Sequence, residues 1–564
     1  MYFYTTKKKD KNGNPVEYLQ LCRSYRGEDG KPKREVLRTL GRKDDPKVTE
    51  EVERFVSKLT GAKTTKDLID FVDNEVTLES SKLLGPNLIF RKLWNDLKLN
   101  EVLAGEYHEH ALLMTLNRLC DPRSKMDCMR WKETIHEPLW DDIRLHELYR
   151  ALDYLIDNKE KIEYQMFNNI RDVFNQNTDL ILFDTTSVSY WGEGENAPEL
   201  LKFGYSKEKR NDLKQLIVAL LMTEGGIPVG HETYPGNQVD VTSFPKIIAK
   251  VKDKFNLKRV VWVCDRGMIS ESNIELLDSI KHEYIIGIKM RMLNAAQKEI
   301  LLATKYKDFQ KIHDNLYVKQ IIVDIEVNEE DKKEEESIKG DKKIEVESDN
   351  GNGNEQSRKK KEKKTKIISR RYVVCYNPQQ AKIDAINRER FKEIIAKKVL
   401  EKTDKSWIVK NGYRKYIKLK EDIIESIDYE RLEKEKIYDG KWVLLTNTKL
   451  EYTEIAKYYK SLWQIENAFK ELKSSLDVKP MYHWTEKRIR GHIFICFLAL
   501  VLELGLKNKL IKVSYDEAME DLKKLQVSLL KVKGIDKLKR TKLVGTAPSV
   551  FEQLKLAIPS MNMV

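Results

Sequence analysis

Three acidic residues, Asp184, Asp265 and Glu466, are placed in this 564-residue chain where their carboxylates could share metal ions. Asp184 follows the apolar run Leu180-Ile181-Leu182-Phe183, and Asp265 follows Val260-Val261-Trp262-Val263-Cys264. Such runs read as strands, so backbone pairing should fix both carboxylates at one edge of a sheet. Glu466 comes roughly two hundred residues later, on a predicted helix. Carboxylates are hard oxygen donors of the kind that hold Mg2+ or Mn2+. Two such ions about 3.5–4 Å apart can activate water and stabilise the leaving 3′ oxygen of a phosphodiester, two steps that are difficult at neutral pH. The expected arrangement has Asp184 bridging two ions, with Asp265 and Glu466 holding one each.

The neighbours of Glu466 sharpen that expectation. Tyr459, Glu466 and Lys473 are seven residues apart, and at about 100° per residue two helical turns bring each nearly over the last. An acid bracketed by a phenol and an ammonium suits an enzyme that grips a phosphodiester at a metal. The alternative is an amphipathic helix whose polar residues simply face water.

The segment Tyr459-Lys460-Ser461-Leu462-Trp463-Gln464-Ile465-Glu466, followed by Phe469 and Lys473, resembles the tyrosine, arginine, glutamate, lysine signature of DDE-type insertion-sequence transposases. Leu182-Phe183-Asp184-Thr185-Thr186-Ser187 resembles that family's first-aspartate motif, and Cys264-Asp265-Arg266-Gly267-Met268 its second. Gly204-Tyr205-Ser206-Lys207 and Tyr234-Pro235-Gly236-Asn237 resemble its intervening blocks, so the likeness covers roughly residues 180–290 and 440–500. The resemblance implies metal-dependent cleavage at transposon ends and transfer of the freed 3′ hydroxyl into target DNA. It implies double-stranded DNA as partner, at transposon ends and target, and a homodimer in the synaptic complex. It also implies a cytoplasmic, nucleoid-associated prokaryotic protein. Tyr459, Lys473, Lys460, Lys470, Lys207 and Arg266 are the implied DNA contacts. Leu462 stands where the signature has arginine, and leucine makes no charge-assisted phosphate contact, so that grip is either missing or supplied by a neighbour such as Lys460 or Lys470.

The elements that must position these residues read as an α/β fold with a ribonuclease-H-like core, a mixed five-stranded sheet with helices. Residues 1–45 alternate around Asn12-Gly13-Asn14-Pro15 and Gly27-Glu28-Asp29-Gly30, a basic β-hairpin arm. Residues 46–175 show helical spacing, through Leu112, Leu113, Leu116 and Leu119 and again through Leu148, Leu152 and Leu155, and read as a DNA-binding helical region. The core's first part, 176–290, gives three strands, a helix from Ser243 to Phe255, the strand before Asp265, a helix through Ile274-Glu275-Leu276-Leu277, and a strand from Tyr284 to Ile288. A mostly β insertion spans 291–440, and within it residues 328–366 are too charged and too poor in apolar residues to order. The core resumes over 441–510 with the Glu466 helix, and 511–564 reads as a helical tail.

Composition sets limits. With 41% hydrophobic residues over 564 positions, several cores can form. The formal net charge of +13 favours a polyanionic partner, with a lysine-rich solvated surface as the plain alternative. Six scattered cysteines lack zinc or disulfide spacing and read as reduced core thiols. No signal-peptide segment follows Met1, and the apolar run Ile493–Leu506, interrupted by Glu503, reads as a core helix rather than a membrane span.

Other chemistry is less well supported. The strand-end pair Asp184 and Thr186 resembles the nucleophilic aspartate of phosphatases that form an aspartyl-phosphate, but Thr185-Thr186-Ser187-Val188 gives neither the second acid nor the Lys-Thr-Gly context that they need. His231 reads as a satisfied strand histidine, His108 and His110 as residues of a helix start, and Trp407 and Trp442 as core packing rather than base-stacking groups. Two functional rivals stay open: a nuclease without strand transfer, and a transposase-derived DNA-binding protein without catalysis.

Overall fold

The computed structural model describes residues 2–9, 15–26, 32–60, 76–103, 105, 107–174, 180–192, 198–238, 260–268, 270–302, 308–328, 365–400, 416–420, 423–532 and 535–563. The expected helix from Ser243 to Phe255, the charged segment 329–364 and Trp407 lie outside the described residues. Two compact units emerge: Met1–Ile89 with Glu133–Pro138 and Val513–Val564, and Phe90–Lys132 with Leu139–Lys512.

The first unit opens with β1 (Tyr2–Lys9), β2 (Pro15–Arg26) and β3 (Pro32–Arg42), an antiparallel sheet in the order β1-β2-β3. Its basic residues are largely matched locally, Arg23 to Glu35 at 2.7 Å and Lys43 to Glu17 at 2.9 Å, while the Arg34 guanidinium lies 3.6 Å from the Tyr4 ring centre. A helix, Pro46–Thr60, follows. Then β4 (Val76–Leu83) pairs with Gln526–Val532, which in turn pairs with Ile535–Arg540, itself paired with Asn562–Met563. This sheet corrects two expectations, a purely helical 46–175 and a helical 511–564. Only the helices Tyr515–Lys523 and Ala547–Gln553 are α-helical in that tail. The strands are short, and partners more than four hundred residues apart pair through backbone bonds that local periodicity does not register.

In the second unit, nine strands form one mixed sheet in the order β10-β11-β12-β15-β9-β8-β5-β6-β7. They are β5 (Leu180–Ser189), β6 (Gln215–Thr223), β7 (Pro228–Pro235), β8 (Val261–Cys264), β9 (Glu283–Ile288), β10 (Gln310–His313), β11 (Leu316–Asn328), β12 (Thr365–Tyr376) and β15 (Lys441–Thr446). β8 runs parallel to β5 and to β9, and every other pairing is antiparallel. All nine residues of β6 are buried, which fits its almost unbroken apolar sequence: a strand covered on both faces needs no polar side. The expected five strands are present as β7-β6-β5-β8-β9, but the sheet does not stop there. β15 joins β9, and the insertion's β12, β11 and β10 continue outward, because Tyr372–Tyr376 offers an apolar edge in register with Lys441–Val443 and Leu444–Leu445. The insertion also holds a helix, Pro378–Leu400, and a small pair, β13 (Ile417–Lys420) with β14 (Ile423–Ile427), so it is neither mostly β nor a separate sheet. Its strands also reach Asn328 and start from Thr365, which takes the two ends of the segment expected to be disordered into the sheet.

The helix Glu486–Lys509 anchors this unit, with 89% of its apolar window buried. It packs against the helices His108–Cys120 and Leu145–Asp157, against β7 and against the helix Trp463–Lys473. A helix apolar on every side belongs inside a core. Its one buried acid, Glu503, is met by Lys507 at 2.7 Å. Nearby, Glu163 accepts from the backbone N–H of His231 at 3.0 Å and meets its ring nitrogen at 2.7 Å, tying the helix Lys159–Phe174 to β7. His231 is thus a satisfied core histidine, as its strand position suggested.

Candidate active site

β5 and β8 run side by side with Phe183 opposite Cys264 at their last shared rung. Asp184 is the next residue of β5, and Asp265 is the first residue beyond the end of β8. The register thus carries both aspartates to the same end of the sheet, where they line one cavity. β5 does not end at Asp184, as the sequence suggested. It continues to Ser189 and stays paired with β6, Asp184 opposite Leu220, while its other neighbour stops at Cys264. Asp184 therefore sits where the strand loses one partner.

The third acid comes from a helical segment that is also not as expected. Tyr452–Lys460 and Trp463–Lys473 are two helices joined at Ser461-Leu462, where Leu462 N–H bonds back three residues to Tyr459 at 3.2 Å. The tightened turn breaks the seven-residue stripe, and its three members have separate tasks. The Tyr459 hydroxyl donates to Asp265 Oδ1 at 3.1 Å. Burial, and then the Asp265 charge, keep this phenol protonated by raising its pKa. Space for its ring comes from Gly287 on β9, where a Cβ would collide with the Tyr459 hydroxyl. Glu466 is exposed and lines a cavity of about 290 Å3 with Asp184, Asp265, Trp442, Tyr459, Lys460, Leu462, Trp463 and Ile465. Lys473 donates to Thr186 Oγ1 at 2.8 Å and pairs with Glu208 at 3.1 Å.

Cations surround the acids. The Lys207 ammonium stands 3.7 Å from Asp184 Oδ1 and donates to the Thr185 carbonyl at 2.5 Å, while the Thr185 N–H donates to Asp184 Oδ1 at 2.7 Å. Glu208, next in the chain, gathers Lys473, Lys479 at 2.9 Å and the Ser189 hydroxyl at 2.8 Å. Burial alone would raise the Glu208 pKa, but the bonds from Lys479, Ser189 and Lys473 hold it below the ordinary glutamate value. Burial lowers Lys473 against the pull of Glu208. Lys460 lines the acid cavity, and burial lowers its pKa as well. Lys470 is exposed on its helix and is not part of the cavity wall, so only Lys460 stands near the position that Leu462, 8% exposed, fills without charge. Arg266 is exposed on a short turn, Arg266–Met268, and lines a neighbouring cavity with Lys289 and Arg370.

Several residues escaped the sequence reading. Glu208 organises three donors, and its local signal is its place directly after Gly204-Tyr205-Ser206-Lys207. Trp442, expected as core packing, lines the acid cavity, with an indole N–H that is buried without a partner among the described residues. Trp463 does the same while 58% exposed. His108 and His110 do open a helix, His108–Cys120, facing Glu109 at 3.0 Å and Glu147 at 3.6 Å. The cysteines are free thiols, five of them buried.

The acid pair in register, the third acid on the same cavity and the mixed sheet behind them fit an enzyme of phosphodiester chemistry, and comparison with known proteins gives the family. Residues 175–502 match the family described as transposase DDE domain, and residues 4–67 match the IS1634 family transposase N-terminal domain. With more than half its length matched, the chain belongs to the DDE transposase domain family and is a DNA transposase of the insertion-sequence kind, with divalent-metal dependence a general property of that domain. Among solved structures, a piggyBac transposase synaptic complex with hairpin DNA is 8% identical, covering 78% of this chain and 77% of that one at a TM-score of 0.33. The Mos1 transposase paired-end complex with left transposon end is 12% identical, covering 43% and 68% at a TM-score of 0.14. No curated protein is significantly similar to the chain.

Proposed function

We propose that Asp184, Asp265 and Glu466 are the catalytic acids of this transposase, set on a ribonuclease-H-like core, and that they hold two Mg2+ or Mn2+ ions. The observation that carries the reading is the register of β5 and β8, which sets Asp184 beside Asp265 on a cavity that Glu466 also lines. The donor chemistry fits, since all three are hard oxygen ligands. Among the described residues no group of three acidic, histidine or cysteine side chains is gathered closely enough to hold an ion as they stand, so ion binding in this reading draws the three acids of the cavity together. When bound, the ions would activate the attacking hydroxyl and offset charge on the leaving oxygen.

The chain's own residues do the positioning. Tyr459 fixes Asp265 through its hydroxyl, Lys207 and the Thr185 N–H fix Asp184, and Lys473 braces Thr186 two residues on. At a transposon end, water attacks the scissile phosphorus, the bond to the 3′ oxygen breaks, and that oxygen leaves as a hydroxyl. The freed hydroxyl then attacks a target phosphorus and releases a target 3′ hydroxyl. Two chains, each holding one end, form the synaptic dimer in this reading. Replacing Asp184, Asp265 or Glu466 by Ala should abolish Mg2+-dependent end cleavage. Cleavage retained in any one variant removes that residue from the site. Incubating pre-cut ends with supercoiled target should give joined strands, and ends that never join would reduce the activity to a nuclease.

A further inference from the structure

A second cavity, of about 550 Å3, lies in the same unit between the start of the helix Lys125–Lys132 and the chain following the Glu466 helix. Arg118, Lys125, Lys479, Tyr482, His483 and His492 are on its wall. Arg118 and Lys125 are each 4% exposed. Arg118 donates to the carbonyls of Asp477, at 3.0 Å, and of Arg123, both uncharged acceptors, and its Nε–H is buried without a partner. Lys125 has no hydrogen bond or ion pair among the described residues. The acids on the wall do not answer them. Asp127 accepts from the Ser124 hydroxyl at 2.7 Å and lies 3.6 Å from Arg130, and Asp477 is exposed.

Two buried cations with no counter-ion are expensive to keep, and an anion seated beside them would offset that cost. Burial, then Arg118, lower the Lys125 pKa to about 8, with Cys128 and Cys496 pulling weakly the other way. His483 is lowered to about 3 and His492 well below its usual value, by burial and by these same cations, so neither adds charge. Its wall also reaches the groups beside the acid site. Lys479 on its wall gives its ammonium to Glu208, whose other oxygen takes Lys473. Tyr482 at 63% and Trp484 at 68% exposure stand in the same stretch of chain, as stacking surfaces for nucleotides.

We propose that this cavity seats a phosphate group of the DNA backbone away from the scissile bond, held by the Lys125 ammonium beside the Arg118 guanidinium. It rests on DNA being the substrate of the acid site, but not on the identity of the catalytic acids. The test is therefore made without divalent metal. Full-length protein and Lys125→Met are titrated with a short duplex of arbitrary sequence, in EDTA, over a range of salt.

The variant should bind about tenfold or more weakly, and its salt slope should fall by about one. Because it removes an uncompensated buried charge, it should melt no lower than the parent. Inorganic phosphate should raise the melting temperature of the parent and not of the variant. Unchanged duplex affinity and slope in the folded variant overturn the proposal. Protection by phosphate with unchanged DNA binding assigns the cavity to free phosphate, and overturns it also. Should Lys125→Met fail to fold, Lys125→Gln is titrated in the same way and should show the same weakening and the same loss of salt slope. Parent-like affinity and slope in that variant sink it.

Discussion

The two cavities of the larger unit hold charge in opposite ways. At the acid cavity the carboxylates are at or near the surface, Asp265 and Glu466 exposed and Asp184 19% exposed, and each aspartate already has a donor from the protein. At the basic cavity Arg118 and Lys125 are buried, and neither has an ion pair among the described residues. An exposed acid costs little to maintain and can rotate toward an incoming ion. A buried cation is costly, fixed, and committed to one kind of ligand. The first arrangement suits ions that come and go with catalysis, and the second suits a polymer that must be held in one register while that happens.

The sharpest way to break the comparison is at the acids. Asp184→Ala should lower end cleavage by about a thousandfold or more, in the manner of groups that act as a unit. Duplex binding in EDTA should be unchanged or tighter, since one negative charge is gone. Lys125→Met should do the reverse, weakening binding strongly and leaving the single-turnover rate at saturating DNA close to the parent's. If both variants lost binding equally, the division between a chemical and a gripping cavity would be wrong.

Tyr459→Phe tests a smaller effect. It removes one hydrogen bond to Asp265 and keeps the ring against Gly287. Cleavage should fall about 10–100-fold, as when a partner that orients a metal ligand is lost, with DNA binding preserved. A mere DNA contact at Tyr459 would instead weaken binding and spare the rate.

This tyrosine also shows how far the sequence could be read. Asp184 and Asp265 were legible because apolar runs end in acids, and a strand's register is a local consequence of its pattern. The order of the five strands around them was legible for the same reason. The helix carrying Glu466 was legible as a helix, but not its break at Ser461-Leu462, because both residues keep helical torsions and only the hydrogen-bond ladder changes. Tyr459, Lys473 and Lys207 were expected as DNA contacts on the family resemblance. In the folded chain they face Asp265, Glu208 and Asp184, partners 194, 265 and 23 positions away. Cross-chain partners of this kind leave no periodic trace. The pairing of β4 with Gln526–Val532, and of β12 with β15, was invisible on the same grounds.

Glu208 joins the two cavities, and the smallest expected effect is there. Glu208→Gln keeps the shape but leaves Lys473 and Lys479, both about three-quarters buried, without their shared anion. At neutral pH this should cost about 1–3 kcal/mol of stability. The pH dependence identifies the cause. The folded pKa of Glu208 lies below its ordinary value of 4.5, so its contribution is complete above 4.5 and is lost as pH falls through the folded value. The melting temperatures of parent and variant should therefore differ at pH 7 and converge in acid. A gap that persists at the lowest pH at which both remain folded would mean that Glu208 acts by shape rather than by charge. The two cavities would then be neighbours without an electrostatic link.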